Sequence, residues 1–193
     1  MKLLEDKIKE YGIVKSDRVL DVSAFLNKQV DAKLMEQLGK DFANHYKDYD
    51  FDVFVTVESS GIAPAVFASL YASKPLVIIK KEDVLKDDEV YAQQPSYSFT
   101  KNHDYFLTVQ KEFVENKKVV LIDDFLAQGS VAINVSKMLE SVNAPLVSIG
   151  ICISKNFQDG YKRLRSKGFD LYLQSEIKQL DLQTKTIVFE ETI

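Results

Sequence analysis

Apolar residues recur along the chain at two spacings, and the switches between them outline its elements. Leu3, Leu4, Ile8 and Tyr11 fall at helical spacing, with Gly12 placed to cap the helix at its C-terminus. Arg18 to Val22 is a short alternating run that predicts a strand. Asp31 is suited to N-cap a helix whose apolar face is Leu34, Leu38, Phe42 and Tyr46. Phe51 to Val57 predicts a strand that ends in Glu58-Ser59-Ser60-Gly61. Pro64 fits the first turn of a helix reaching about Tyr71. Leu76 to Ile79 predicts the next strand, followed by Lys80-Lys81. Val119 to Ile122 predicts another, followed by Asp123-Asp124 and a helix from about Gly129 to Val142. Leu146 to Ile153 predicts a strand ending at Lys155, and Phe169 to Leu173 and Thr186 to Phe189 add two short ones.

Apolar strands alternating with helices predict an α/β fold with a mostly parallel sheet covered on both faces. Two regions break the rhythm. Glu82 to Ser96 is charged and aperiodic and reads as an exposed excursion, while Tyr97 to Thr100 and Tyr105 to Val109 flank a polar turn and predict a hairpin. In an open parallel sheet, ligands bind at the carboxyl ends of the strands. Three such ends carry distinctive chemistry here: Glu58-Ser59-Ser60-Gly61, Asp123-Asp124 and Lys155.

Composition narrows the setting. With 193 residues, 46% of them hydrophobic and 28% charged, the chain is expected to fold as one soluble domain without a disulfide or metal staple. No apolar stretch approaches the ~20 residues that span a bilayer, and Met1 to Asp6 does not read as a leader. The single cysteine, Cys152, lies between Ile151 and Ile153 and predicts a buried small hydrophobe in a reducing, cytoplasmic setting. A net charge of −4 argues against duplex binding. His45 and His103 share no metal-ligand spacing, so no protein zinc site is expected.

The run VVLIDDFLAQGSV, Val119 to Val131, concentrates the chemistry. Four apolar residues make a buried strand, two carboxylates follow, and a loop with Ala127, Gly129 and Ser130 opens a helix. A helix N-terminus offers unpaired amides and a positive dipole end, and small residues let that backbone approach phosphate oxygens closely. Carboxylates beside a phosphate suit hydrogen bonds from something attached to it, such as the vicinal hydroxyls of a ribose. A solvated turn before an ordinary helix start is the competing reading. Neither a Walker A motif nor a Gly-x-Gly-x-x-Gly fingerprint occurs.

That run resembles the phosphoribosyl-pyrophosphate signature of type I phosphoribosyltransferases, a strand followed by Asp-Asp-x-x-Ala-Thr-Gly. Gln128 stands where Thr is usual and Ser130-Val131 where Gly-Thr is usual, which fits a purine branch of the family. The resemblance covers nearly the whole chain. It takes in Arg18-Val19-Leu20, Ser23 to Asn27, the Val57 to Pro64 loop, Tyr97-Ser98-Phe99-Thr100-Lys101 and Ile122 to Ala127, in the family's order.

The resemblance implies a type I phosphoribosyltransferase fold over residues 1–193, with an N-terminal base-binding lobe of about 1–35 and an antiparallel lid hairpin. It implies purine salvage: transfer of the 5-phosphoribosyl group from phosphoribosyl pyrophosphate to xanthine, giving xanthosine 5-monophosphate and pyrophosphate. Hypoxanthine or guanine transfer and a phosphoribosyl-pyrophosphate-sensing regulator are the alternatives. Asp123 and Asp124 would bind the ribose hydroxyls and stabilise positive charge on the sugar. Amides of Ala127, Gln128, Gly129, Ser130 and Val131 would hold the 5-phosphate. Ser59, Ser60 and Gly61 would form a diphosphate nest, joined by Lys80 and, from the lid, by Lys101. Leu20, Asn27 and Lys155 would surround the purine, with Lys155 donating to its 6-oxo oxygen or N7 and Asn27 pairing with the 2-oxo edge. Magnesium would arrive with the diphosphate rather than on a protein site. A homodimer is expected, with no nucleic-acid or membrane partner.

Overall fold

Strands that are apolar on both faces belong inside a covered sheet, and the centre of this molecule is built from them. A computed structural model describes residues 1–98 and 103–191. In chain order it has α1 (Lys2–Tyr11), β1 (Ile13–Ser16), β2 (Val19–Asp21), a π-helical turn (Ser23–Asn27), α2 (Ala32–His45) with a 3-10 turn (Tyr46–Asp48), β3 (Val53–Val57) and α3 (Ile62–Ala72). There follow β4 (Leu76–Glu82), β5 (Tyr91–Ser98), β6 (His103–Gln110), the helical turn α4 (Lys111–Val114), β7 (Val119–Leu126) and α5 (Ser130–Glu140). The chain finishes with β8 (Leu146–Lys155), α6 (Asp159–Ser166), β9 (Leu171–Asp181) and β10 (Thr186–Phe189).

Eight strands form one sheet in the order β10-β9-β8-β7-β3-β4-β6-β5. The central pairs β9/β8, β8/β7, β7/β3 and β3/β4 are parallel, and the edges β10/β9, β4/β6 and β6/β5 are antiparallel. Along β7 the period of two is plain: Val120 and Ile122 join one apolar cluster with α2 and the N-terminal segment, while Val119 and Leu121 join another with α5. β1 and β2 form a separate antiparallel pair beyond that first cluster. Asp31 caps α2 as expected, accepting from Leu34 N at 3.1 Å, and Lys7 of α1 pairs with it at 2.9 Å.

Gly12 caps α1 as expected, its N–H donating to Ile8 O at 2.8 Å, and its extended backbone (φ −72°) leads straight into β1. Several elements differ from the sequence-based expectation. β1 itself was not foreseen, because Ile13-Val14-Lys15-Ser16 is too short to display a period. The excursion at 82–96 is bounded by strand at both ends: β4 runs on through Glu82, residues 83–90 form the connection, and β5 starts at Tyr91. Gln93 clamps the short connection, accepting from Lys86 N (2.7 Å) and donating to Lys86 O (2.9 Å). The hairpin is therefore an edge of the main sheet, in register from Tyr91↔Gln110 to Ser98↔His103. α6 escaped notice because only Gly160 and Leu164 of its eight residues are buried.

Candidate active site

The acidic pair lies within β7 rather than beyond its end. Asp123 stands opposite Ile151 and Phe125 opposite Ile153 of β8, so the ladder fixes where both half-buried carboxylates sit. Asp123 Oδ1 accepts from Asp124 N at 3.0 Å. Burial and then the neighbouring Asp124 charge push the Asp123 carboxyl well above the usual carboxylate range. Burial also raises Asp124, and the Lys81 ammonium opposes the rise at both.

The loop after β3 packs directly against this pair. A Cβ on Gly61 would collide with Thr56 Oγ1 and come within 3.1 Å of Asp123 Oδ1, so only glycine permits this approach. Thr56 Oγ1 is buried there without a hydrogen-bond partner among the described residues. The Glu58–Ser59 peptide is cis. The Glu58 carboxylate accepts from Lys80 Nζ and, at 2.7 Å, from Lys81 N, which ties the loop to β4. Burial pushes the Glu58 carboxyl up, but these two donors outweigh it and hold it below its ordinary value.

Val57, Glu58, Ser59, Ser60, Lys81, Asp123 and Asp124 enclose a cavity of about 410 Å³. Adjacent residues of a strand face opposite ways, and here that separates the two lysines. Lys81 lines the cavity, whereas the Lys80 ammonium ends in an ion pair with Glu58. Of the two, Lys80, the lysine expected at the diphosphate, is held by Glu58, and Lys81 is the one that lines the cavity. Lys101, assigned to the lid, lies outside the described residues.

Beyond β7 the loop from Ala127 to Val131 enters α5 through Gly129, whose φ of +74° is the left-handed region that favours glycine. No side chain caps α5. Carbonyls of the loop are taken up by α6: Gly160 N donates to Ala127 O at 2.9 Å and Arg163 Nη1 to Gln128 O at 2.8 Å. The loop's carbonyls, not its amides, make these bonds. Unpaired amides at a helix N-terminus are a seat for phosphate. At the far side of α5, Asn134 Nδ2 donates to Ser96 Oγ at 3.1 Å and anchors the edge hairpin.

At the end of β8, Lys155 lies half-buried, its Nζ 3.2 Å from Arg18 O and 4.9 Å from the centroid of the Phe125 ring. Burial lowers the Lys155 pKa, opposed by Asp124. This contact brings the turn between β1 and β2 against the strand ends. Leu20 is buried in the apolar cluster beneath that turn, and Asn27 is exposed at the end of the π-helical turn. Neither shares the cavity that holds the acidic pair. Sequence reasoning missed Gln158, Gly160 and Arg163, which brace the loop from behind. The one signal was Gln128 in place of the usual Thr: its Nε2 reaches Gln158 Oε1 at 3.0 Å.

Residues 24–184 match the family model described as the phosphoribosyl transferase domain. A protein of Clostridium botulinum named xanthine phosphoribosyltransferase is 44% identical over 184 residues, covering 94% of this chain and 96% of its own. Proteins of the same name from Bacillus cereus and Staphylococcus aureus are 42% and 38% identical, covering 100% and 99% of this chain and 98% and 100% of theirs. Among solved structures, adenine phosphoribosyltransferase from Thermoanaerobacter pseudethanolicus superposes with a TM-score of 0.69 at 22% identity, over 89% of this chain and 98% of its own. The Trypanosoma brucei adenine phosphoribosyltransferase, solved with AMP, pyrophosphate and ribose-5-phosphate, gives 0.70 at 17% identity, over 88% and 77%. These two similarities bear on the fold.

Proposed function

The chain belongs to the phosphoribosyltransferase family, and we propose that it transfers the 5-phosphoribosyl group from phosphoribosyl pyrophosphate to xanthine, forming xanthosine 5-monophosphate and pyrophosphate. The observation that carries this reading is the 38–44% identity, over nearly the full length, to proteins named xanthine phosphoribosyltransferase.

The site's chemistry supports it. A purine ring nitrogen attacks C1 of the ribose as the C1–O bond to pyrophosphate breaks, and positive charge gathers on the sugar. Asp123 and Asp124, held by the β7–β8 ladder, accept the ribose hydroxyls and stabilise that charge. Amides of the loop from Ala127 to Val131 hold the 5-phosphate. Ser59, Ser60 and Gly61 cradle the diphosphate, with Lys81 as the cation lining the same cavity. Asn27 and Lys155 read the oxo-purine edges, and Leu20 supports them from the core. Water would otherwise capture the charged sugar, so the reaction calls for a site shielded from solvent.

Among the described residues no three His, Cys, Asp or Glu side chains gather as a metal cage. Adjacent carboxylates beside the loop after β3 suit a magnesium ion that would enter on the diphosphate and keep most of its waters, with Asp123 and Asp124 as the side chains that would face it. When bound, such an ion would supply positive charge to offset that of the diphosphate. No helix among the described residues is long and apolar enough to cross a membrane. A cytoplasmic homodimer is part of the same proposal. With xanthine, phosphoribosyl pyrophosphate and magnesium, the purified protein is expected to release pyrophosphate and xanthosine 5-monophosphate in equal amounts; formation of neither overturns the reading.

A further inference from the structure

The replacement of the usual Thr by Gln128 leads to a chain of hydrogen bonds that joins the two ends of the site. Gln128 Nε2 donates to Gln158 Oε1 at 3.0 Å, and Gln158 Nε2 donates to Arg18 O at 3.2 Å. Gln158 is 8% exposed, and its own N–H donates to Lys155 O at 2.9 Å. Arg18 O also receives Lys155 Nζ at 3.2 Å. One buried residue thus touches three segments: its side-chain amide the loop at Gln128 and the turn that leads into Leu20 and Asn27, and its backbone N–H the end of β8 that carries Lys155.

A nucleoside monophosphate is a ligand of fixed span: its phosphate must reach the loop while its base reaches the lobe. The spacing between those two protein segments therefore sets how well both ends bind at once. Arg18 O has a second role. When Lys155 turns from it toward a purine oxygen, Gln158 Nε2 remains as its donor, so the turn keeps its place while Lys155 is recruited. We propose that Gln158 is a positioning residue that fixes the distance between the phosphate loop and the base-reading lobe, through Gln128 on one side and Arg18 on the other. The proposal rests on the transferase reading above.

The test compares a ligand that spans both ends with one that lacks the base. Gln158→Met keeps the side chain's volume and removes both of its bonds; Gln128→Ala removes the bond on the loop side. Affinities for xanthosine 5-monophosphate and for phosphoribosyl pyrophosphate are measured by calorimetry on the parent, both single variants and the double variant, with melting temperatures to show that each folds. Gln158→Met is expected to weaken the monophosphate roughly tenfold, as loss of one or two hydrogen bonds does, and phosphoribosyl pyrophosphate by less than about twofold. The double variant is expected to be no weaker than the weaker single, because both break one chain. Equal losses for the two ligands, no loss, or multiplying losses in the double variant overturn the proposal. Xanthine turnover by the parent is the control that separates the two ideas. An inactive parent sinks the transferase reading, whereas an active parent with an unaltered Gln158→Met sinks the positioning role alone.

Discussion

Gly61 and Asp123 meet so closely that a Cβ on the glycine would lie 3.1 Å from the Asp123 Oδ1 oxygen. The loop after β3 and the acidic pair thereby pack as one unit, although 62 positions separate Gly61 from Asp123 in the chain. Gly61→Ala would drive its methyl into Thr56 Oγ1 and displace the loop from β7. The expected result is a loss of about 1–3 kcal/mol in stability, as for an overpacked site, together with a fall in turnover of at least roughly tenfold. Denaturant unfolding and steady-state kinetics measure the two effects.

The acidic pair is expected to trade stability for function. Burial holds both carboxyls above their ordinary value of 3.8, so the folded chain binds their protons more tightly than the unfolded chain does. Their contribution to stability therefore declines as pH rises from the ordinary carboxylate range through the raised values. Asp123→Asn combined with Asp124→Asn is expected to melt at a higher temperature at neutral pH. Each kcal/mol of relief is worth roughly 2–4 °C in a chain of this size. The same double variant should lose most turnover, by roughly a hundredfold or more, because the charge serves the transition state. Calorimetric melting at several pH values and a turnover assay check both statements.

Lys81 and Lys80 are expected to separate functionally. Lys81→Met removes the cation that lines the cavity and should raise KM for phosphoribosyl pyrophosphate about tenfold or more. Lys80→Met frees Glu58 and loosens the loop, so its effect should be smaller and should appear chiefly in stability. A larger KM effect at Lys80 would reverse the assignment of the two side chains.

His45 should give the protein a weak acid sensitivity. Its ring stacks on Tyr172 at 3.7 Å and meets Tyr46 edge-on, and burial lowers its pKa from 6.5 against the pull of Asp170 and Asp41. The unfolded chain then binds the proton more readily, so stability is retained above 6.5 and falls as pH drops through the depressed value. His45→Phe is expected to flatten that slope. Melting curves between about pH 5 and 8 measure it.

Much of this architecture was legible in the sequence, and what was not has identifiable physical causes. The central strands announced themselves because burial on both faces demands unbroken apolar runs, as in Val53 to Val57, where every residue is buried. Asp31 was legible because capping chemistry is local. β1 and α6 were not, since their stability comes from partners distant in the chain: Val14 joins the apolar cluster of the N-terminal segment, and Gly160 and Leu164 pack α6 against the loop at Ala127 and Gly129. β5 was hidden for another reason. Gln93 and Gln94 look like loop residues, but they lie on an edge strand where polar side chains face outward or clamp a turn. At the site, Asp123-Asp124 and Glu58 to Gly61 stood out as motifs. Which of two adjacent lysines faces the cavity depends on strand parity, and the span from Gln128 to Gln158 to Arg18 depends on tertiary contact alone.

The central claim is transfer to xanthine, and the most direct test offers the purified protein xanthine, guanine, hypoxanthine and adenine separately, each with phosphoribosyl pyrophosphate and magnesium. Nucleotide formation is followed by absorbance. The predicted result is the highest kcat/KM for xanthine, by at least about tenfold over the other three, because Asn27, in the proposed role of pairing with the 2-oxo edge, would be left unpaired against the other bases. A preference for guanine, hypoxanthine or adenine, or turnover of no base at all, would contradict it.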